Sequence, residues 1–135
     1  MNNGIWDENN GTWNNGTWNN GTWNGGIWEN GTWEKGTWEK GTWNSGTWNS
    51  GTWNSGTWNS GTWEYGIWKN GTFENGTWQN GTWNGGTFEN GTWKDGIFKE
   101  GRFGTPNKST QPNFEGGEFG TSDTNPIFYS GTIKG

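Results

Sequence analysis

Aromatic and polar positions follow one another along most of this chain with a period of five residues. A Gly stands at every fifth position from Gly11 to Gly101, and an aromatic residue follows each Gly two positions later, from Trp13 to Phe103. Thr fills most of the positions between them, and the last two positions of each unit are polar. The repeating unit is therefore Gly-Thr-Trp-x-x, and internal repeats of this kind determine the fold.

Helices and hairpins do not fit this period. A helix turns by about 500° in five residues, which would scatter the rings around its circumference, and each Gly costs a helix about 1 kcal/mol. Two-residue turns at Asn15-Gly16 and Asn20-Gly21 would leave a three-residue strand that must pair on opposite sides at its two ends. Residues i and i+2 of a strand point their backbone groups the same way, so hairpins with two-residue loops are excluded. Three-residue loops would leave strands of two residues, well below the usual length of about 5–6.

The pattern instead predicts a coil whose turns stack through parallel β-bridges. Each unit would form one short side, with Gly and the aromatic residue facing inward and Thr facing the solvent. We expect the glycines to make room for the large rings. We expect the turn at the last two positions, where Asn, Ser and Asp are common turn residues.

This arrangement resembles the pentapeptide-repeat family, in which a small inward residue precedes a large inward apolar residue by two positions. The units from Gly11–Trp13 to Gly96–Phe98 match those two roles, although the family favours Ala and Leu or Phe where this chain has Gly and Trp. The resemblance implies a right-handed, roughly square β-helix with four units per coil.

Three units per coil is the alternative. Phe73, Phe88 and Phe103 fall 15 residues apart, which would stack the smaller ring along one side, although Phe98 departs from this spacing. Four units per coil would give a rod of roughly 24 Å, and three would give roughly 30 Å. The sequence therefore predicts an all-β fold, a parallel β-solenoid (β-helix) with three or four units per coil.

The spacing of the repeat divides the chain into three segments. Residues 1–10 are an N-terminal lead-in, residues 11–103 are the solenoid, and residues 104–135, which hold all three Pro, are a C-terminal cap or docking segment. Two β-hairpins are predicted in the last segment, one over 114–119 with a Gly-Gly turn and one over 128–133 with a Ser-Gly turn. They would form a small cap on the exposed strand edges.

The composition offers little chemistry. With no Cys and no His, the chain has no ordinary nucleophile and base pair, and no calcium or phosphate loop is present. Glu29, Glu34 and Glu39 are five residues apart and should project from successive sides of the coil. We therefore expect no enzyme activity and no cofactor, and we nominate no catalytic, cofactor-binding or metal-binding residue.

Charge and hydropathy bear on partners and location. The 13 acidic and 8 basic residues are interspersed, which argues against a nucleic-acid partner. No apolar stretch approaches the length of a membrane span, and residues 1–6 lack the features of a secretory signal peptide. We expect no membrane contact, and a location on a virion or extracellular surface, or otherwise in the cytoplasm.

Short exact repeats rich in Gly, Asn, Thr and Trp are similar to repeat-containing phage structural and tail proteins. That resemblance implies a structural component of an extracellular or virion assembly, such as a tail fibre, spike or decoration protein, with copies of itself or other subunits as partners. One alternative is a DNA-mimicking binder of a topoisomerase, which needs an acidic stripe. A second is an ice-binding solenoid, which needs Thr concentrated on one face. A third is a carbohydrate-binding solenoid that contacts a surface glycan.

Overall fold

A computed structural model of the chain describes residues 2–6, 12–105, 111–120, 126–128 and 132–133. Within these residues the fold is all-β and contains no helix. It is a parallel β-solenoid of about six turns built from five-residue repeats, so the predicted fold class is confirmed.

Almost every strand covers two residues, the second and third positions of a unit. The strands are β1 (Asn2–Trp6), β2 (Thr12–Trp13), β3 (Thr17–Trp23), β4 (Ile27–Trp28), β5 (Thr32–Trp33), β6 (Thr37–Trp38), β7 (Thr42–Trp43), β8 (Thr47–Trp48), β9 (Thr52–Trp53), β10 (Thr57–Trp58), β11 (Thr62–Trp63), β12 (Ile67–Trp68), β13 (Thr72–Phe73), β14 (Thr77–Trp78), β15 (Thr82–Trp83), β16 (Thr87–Phe88), β17 (Thr92–Trp93), β18 (Ile97–Phe98), β19 (Arg102–Phe103), β20 (Asn113–Phe114), β21 (Glu118–Phe119), β22 (Ile127–Phe128) and β23 (Thr132–Ile133).

The register of these strands defines a coil with three sides. Along the repeat each strand pairs in parallel with the strand 15 residues away, as Trp58 does with Trp43 and Phe73. Side one runs from β2 through β4 and β7 to β22, side two from the first half of β3 through β5 to β23, and side three from the second half of β3 through β6 to β21. Eight stacked strands on side one span about 34 Å at ~4.8 Å per layer.

Three sides replace the square section that the family resemblance implies, and the size of the rings gives the reason. Successive rings in the chain, such as Trp43 and Trp48, meet edge to face with centroids 5.9 Å apart and planes at 72°. The same contact joins Trp48 to Trp53 and Trp53 to Trp58, so three rings close one layer and begin the next. Three indoles fill the interior, and a fourth would need a wider coil.

Two kinds of backbone hydrogen bond join each unit to the coil before it. Thr62 N donates to Gly46 O at 2.9 Å, and Glu64 N donates to Trp48 O at 2.7 Å. The same pair of bonds recurs along the described repeat, which satisfies backbone groups that the tight coil would otherwise bury without partners.

The corners of the coil correct the expected role of glycine. Bends fall on the fifth position and on the following Gly, one residue later than predicted. At Gly61 the φ angle is +118°, and a Cβ there would lie 2.3 Å from Gly46 O in the coil below. The prediction that Gly makes room for the ring was wrong, because the space that Gly leaves is occupied by backbone of the neighbouring coil.

The predicted C-terminal hairpins are also corrected. Phe114 pairs in parallel with Trp93 and stacks on it, and Phe119 pairs in parallel with Phe98, so the segment 114–119 turns a corner instead of folding back. Strands β22 and β23 likewise have parallel partners, β19 and β20, and the proposed Ser-Gly turn between them lies outside the described residues. Burial of a ring over the preceding aromatic layer outweighs the local turn signal.

The C-terminal strands depart from the five-residue spacing of the repeat. Phe103 and Phe114 are eleven residues apart instead of five, and Phe119 and Phe128 are nine apart, yet the parallel register continues across both gaps. At the other end, β1 lies parallel to β3, with Gly4 opposite Gly21 and a shift in register after Asn2. Strands at both ends of the described chain therefore extend the stack of coils.

Candidate functional site

The aromatic residues of the repeat lie inside the solenoid. Every described ring of the repeat from Trp18 to Phe103 has a relative exposure of 0%. Within one side the rings stack in parallel, as Trp48 does on Trp63 with centroids 4.8 Å apart and planes at 6°. These rings are not available to stack on a sugar, so a carbohydrate could not be bound through the core rings of the described repeat.

The core is dry and rich in aromatic contacts. The Nε1–H groups of the described tryptophans from Trp28 to Trp93 are buried without a hydrogen-bond acceptor, which costs about 1–3 kcal/mol each. Burial of roughly 150–250 Å² per indole contributes about 4–6 kcal/mol, which outweighs that cost. The edge-to-face arrangement adds ring contacts in which an N–H can face a neighbouring ring. Within the described repeat, the surface that a ligand can reach therefore lies outside the core.

The outward second position differs among the three sides. On side two it is Thr in six consecutive coils, at Thr17, Thr32, Thr47, Thr62, Thr77 and Thr92. On side one the same position holds Ile27 and Arg102 as well as Thr. On side three it holds Ile67 and Ile97 as well as Thr. Thr therefore occurs on all three sides, and side two alone among them carries an unbroken column of threonines along the described repeat.

Polar side chains at the corners form a ladder between coils. Ser55 Oγ donates to Glu39 O at 3.0 Å, and Ser60 Oγ donates to Asn44 O at 2.8 Å. Asn59 Nδ2 donates to Asn44 Oδ1 at 2.7 Å in the same register. In the identical Asn-Ser units, side-chain hydrogen bonds therefore connect a corner to the corner one coil below.

The carboxylates do not converge on a cleft. Glu29, Glu34 and Glu39 lie at the ends of sides one, two and three, and each accepts a hydrogen bond from an Asn one coil above it. This agrees with the expectation that they project from successive sides. Among the residues that the structure describes, no group of three His, Cys, Asp or Glu side chains could hold a metal ion.

Acidic side chains do not form a continuous stripe along the described corners. At the fourth position, Glu74 and Glu89 stand in successive coils of side one, but Asn44 and Asn59 separate them from Glu29. Side two and side three mix Glu with Asn, Gln and Lys at the same position. Acidic, basic and neutral side chains are therefore mixed along the described corners, which do not carry the continuous negative charge of a nucleic acid.

A shallow groove crosses the corner between sides two and three. It has a volume of about 370 Å³ and is lined by Ser50, Gly51, Thr52, Tyr65, Gly66, Ile67 and Thr82. Tyr65 is 59% exposed and Ile67 is 41% exposed. The groove was not predicted from the sequence, although Tyr65 is the one aromatic residue at the fifth position in the units from Gly11 to Gly101.

The structure defines the class of this protein as a parallel β-solenoid repeat protein with three five-residue units per coil. Comparison with protein-family models, with curated proteins and with solved structures gave no match to this chain. Within the described part of the chain, no helix has the length and apolar character that crossing a membrane requires.

Proposed function

We propose that this chain is a non-enzymatic structural component of an extracellular or virion assembly, such as a phage tail fibre, spike or decoration protein. The observation that supports this function is the continuous aromatic core. Three columns of stacked rings run along the described solenoid, with centroids 4.6–5.6 Å apart between layers. The proposal rests also on the similarity of these short exact repeats to phage structural proteins.

A core of this kind favours a mechanical role. Each coil contacts mainly the coil above and the coil below it, so the length of the rod can change with the number of repeats. Bending the rod would separate stacked rings on one side and break the backbone bonds between coils, such as Thr62 N to Gly46 O. Such a rod suits a spacer that must hold two parts of an assembly at a fixed distance.

The ends of the rod are the surfaces that we propose for partner subunits or further copies of this chain. The rings near the two ends of the core are only partly buried, whereas the inner rings are fully buried. These rings are Trp13 near the N-terminal end and Phe119 and Phe128 near the C-terminal end. The last strand of a solenoid also presents backbone groups that another strand can pair with. A contact at an end would complete the burial of these rings.

We place the chain, in the same proposal, among pentapeptide-repeat-like proteins and on a virion or extracellular surface. The five-residue period, the inward ring and the parallel coils support the likeness. The three-sided section and the Gly at each corner are departures from it. The interspersed corner charges do not favour the DNA-mimicking alternative, which we therefore do not propose.

Particle proteomics tests the assembly role. We expect the protein in purified particles or surface fractions from the cell that encodes it, at a fixed ratio to other structural subunits. Size-exclusion chromatography with light scattering should show self-association that is lost when Phe119 and Phe128 are both changed to Ser. A chain that stays monomeric and is found only in the soluble cell extract would contradict the proposal.

Ice binding is a second candidate because of the Thr column on side two. Its hydroxyl and methyl groups repeat at ~4.8 Å on a rigid backbone, which could order water along the face. Thr62→Lys should abolish thermal hysteresis, whereas Thr57→Lys, the matched change on side one, should leave it intact. Absence of hysteresis in the unmodified protein would remove this candidate.

A further inference from the structure

Tyr65 is an exception to the composition of the corners. The fifth position of the other units from Gly11 to Gly101 holds Asn, Ser, Lys, Gly, Asp, Glu or Thr. Tyr65 places a ring there that is 59% exposed, next to Ile67, whose side chain is 41% exposed on side three. An aromatic ring and an aliphatic side chain thus lie together at this corner.

The neighbours of Tyr65 along the same corner leave its ring open. One coil below, Ser50 is small, and its hydroxyl donates to Glu34 O at 3.0 Å, away from Tyr65. One coil above, Asn80 folds back on its own backbone, where its Oδ1 accepts a hydrogen bond from Gly81 N at 2.8 Å. Neither neighbour covers the ring, so a flat surface remains free for a ligand.

The lining of the groove combines flat apolar surface with neutral hydroxyl groups. Gly51 and Gly66 contribute only backbone to the lining of the groove. Thr52 and Thr82 pair with Ile67 from the coils below and above, so a Thr residue flanks Ile67 on each side in the lining of the groove. Among the described residues that line the groove, none has a charged side chain.

We propose that this groove binds a neutral pyranose unit of a polysaccharide. A pyranose ring has C–H groups on one face, which pack on an aromatic ring, and hydroxyl groups around its edge, which exchange hydrogen bonds with Thr and Ser. The neutral lining disfavours phosphate, sulfate and carboxylate ligands, which need cationic partners. Few polar groups around an apolar surface are the usual composition of a small-molecule site.

The proposal is independent of the role in an assembly, since a glycan could be bound by an isolated rod. Cellohexaose, maltohexaose and N-acetylchitohexaose serve as probes at millimolar concentration in ¹H–¹⁵N NMR titrations of the full chain. We expect at least one of them to shift the amide signals of Thr52, Tyr65 and Thr82, while signals on side one stay in place.

Two variants restore the common unit and should keep the fold. Tyr65→Asn and Ile67→Thr give residues that the repeat already uses at these positions. Each should weaken binding at least about tenfold, a change of 1.4 kcal/mol. Ile27→Thr is the matched control, because Ile27 is also 41% exposed but lies on side one. It should leave the affinity unchanged.

Three results would overturn the proposal. The first is the absence of any shift with all three sugars. The second is a Tyr65→Asn variant that binds with the affinity of the unmodified protein. The third is an Ile27→Thr variant that loses as much affinity as Ile67→Thr, which would place the sugar elsewhere.

Discussion

Replacement of one corner glycine by alanine should weaken the solenoid strongly. At Gly61 the φ angle of +118° costs an L-residue about 1–2 kcal/mol. The new Cβ would lie 2.3 Å from Gly46 O and 3.0 Å from Gly46 N, so the coils must separate by about 1 Å. This movement stretches the bonds from Thr62 N and Glu64 N to the coil below, each worth about 0.5–1.5 kcal/mol. Gly61→Ala should therefore lower the free energy of unfolding by about 3–4 kcal/mol.

Urea unfolding followed by Trp fluorescence measures this loss. Gly85→Ala is the control, because Gly85 occupies a fifth position without a positive φ and its Cβ would meet Lys69 O at 3.1 Å. The control should cost less than about 1 kcal/mol. Equal losses in the two variants would refute the steric reasoning.

A double variant separates the two roles considered for glycine. If Gly61 made room for the ring of its own unit, the smaller ring of Trp63→Phe would relieve the effect of Gly61→Ala. The structure places the clash at Gly46 O, so Trp63→Phe should not recover the stability that Gly61→Ala loses. A double variant more stable than Gly61→Ala alone would show that the ring, and not the backbone, sets the requirement for Gly.

Four further predictions concern the core and the surface. Trp53→Ala should cost about 3–5 kcal/mol in the same urea assay, since the ring is fully buried, and Trp53→Phe should cost less, because the chain itself uses Phe inside. Native Trp fluorescence should resist acrylamide quenching and lose this protection on unfolding; ready quenching of the native protein would contradict the dry core. Ser60→Ala should cost about 0.5–1.5 kcal/mol through loss of the 2.8 Å bond to Asn44 O, and no change would show that the bond is absent in solution. Thr47→Ile should alter stability by less than about 0.5 kcal/mol, because Ile fills the same outward position at Ile67; a large loss would mean that the column depends on hydroxyl contacts.

The groove at Tyr65 shows how much of a surface site the sequence could indicate. The departure of Tyr65 from the unit was visible in the sequence, and so was Ile67 two residues later. Their place beside Thr52 and Thr82 was not, because that depends on which units lie one coil apart. With four units per coil, the same Ile67 would have had different neighbours.

The five-residue period, with a ring at the third position of each unit, determined the parallel β-solenoid, the inward rings and the outward threonines. These features follow from local rules, namely the alternation of faces in a strand and the parity of strand pairing. The tertiary structure alone decided the number of sides, since closure depends on how many indole rings fit in one layer. It also decided that the corners require Gly and that the segment 114–119 does not form a hairpin. Both depend on atoms one coil away, which are 15 or more residues distant in the chain and carry no local signal.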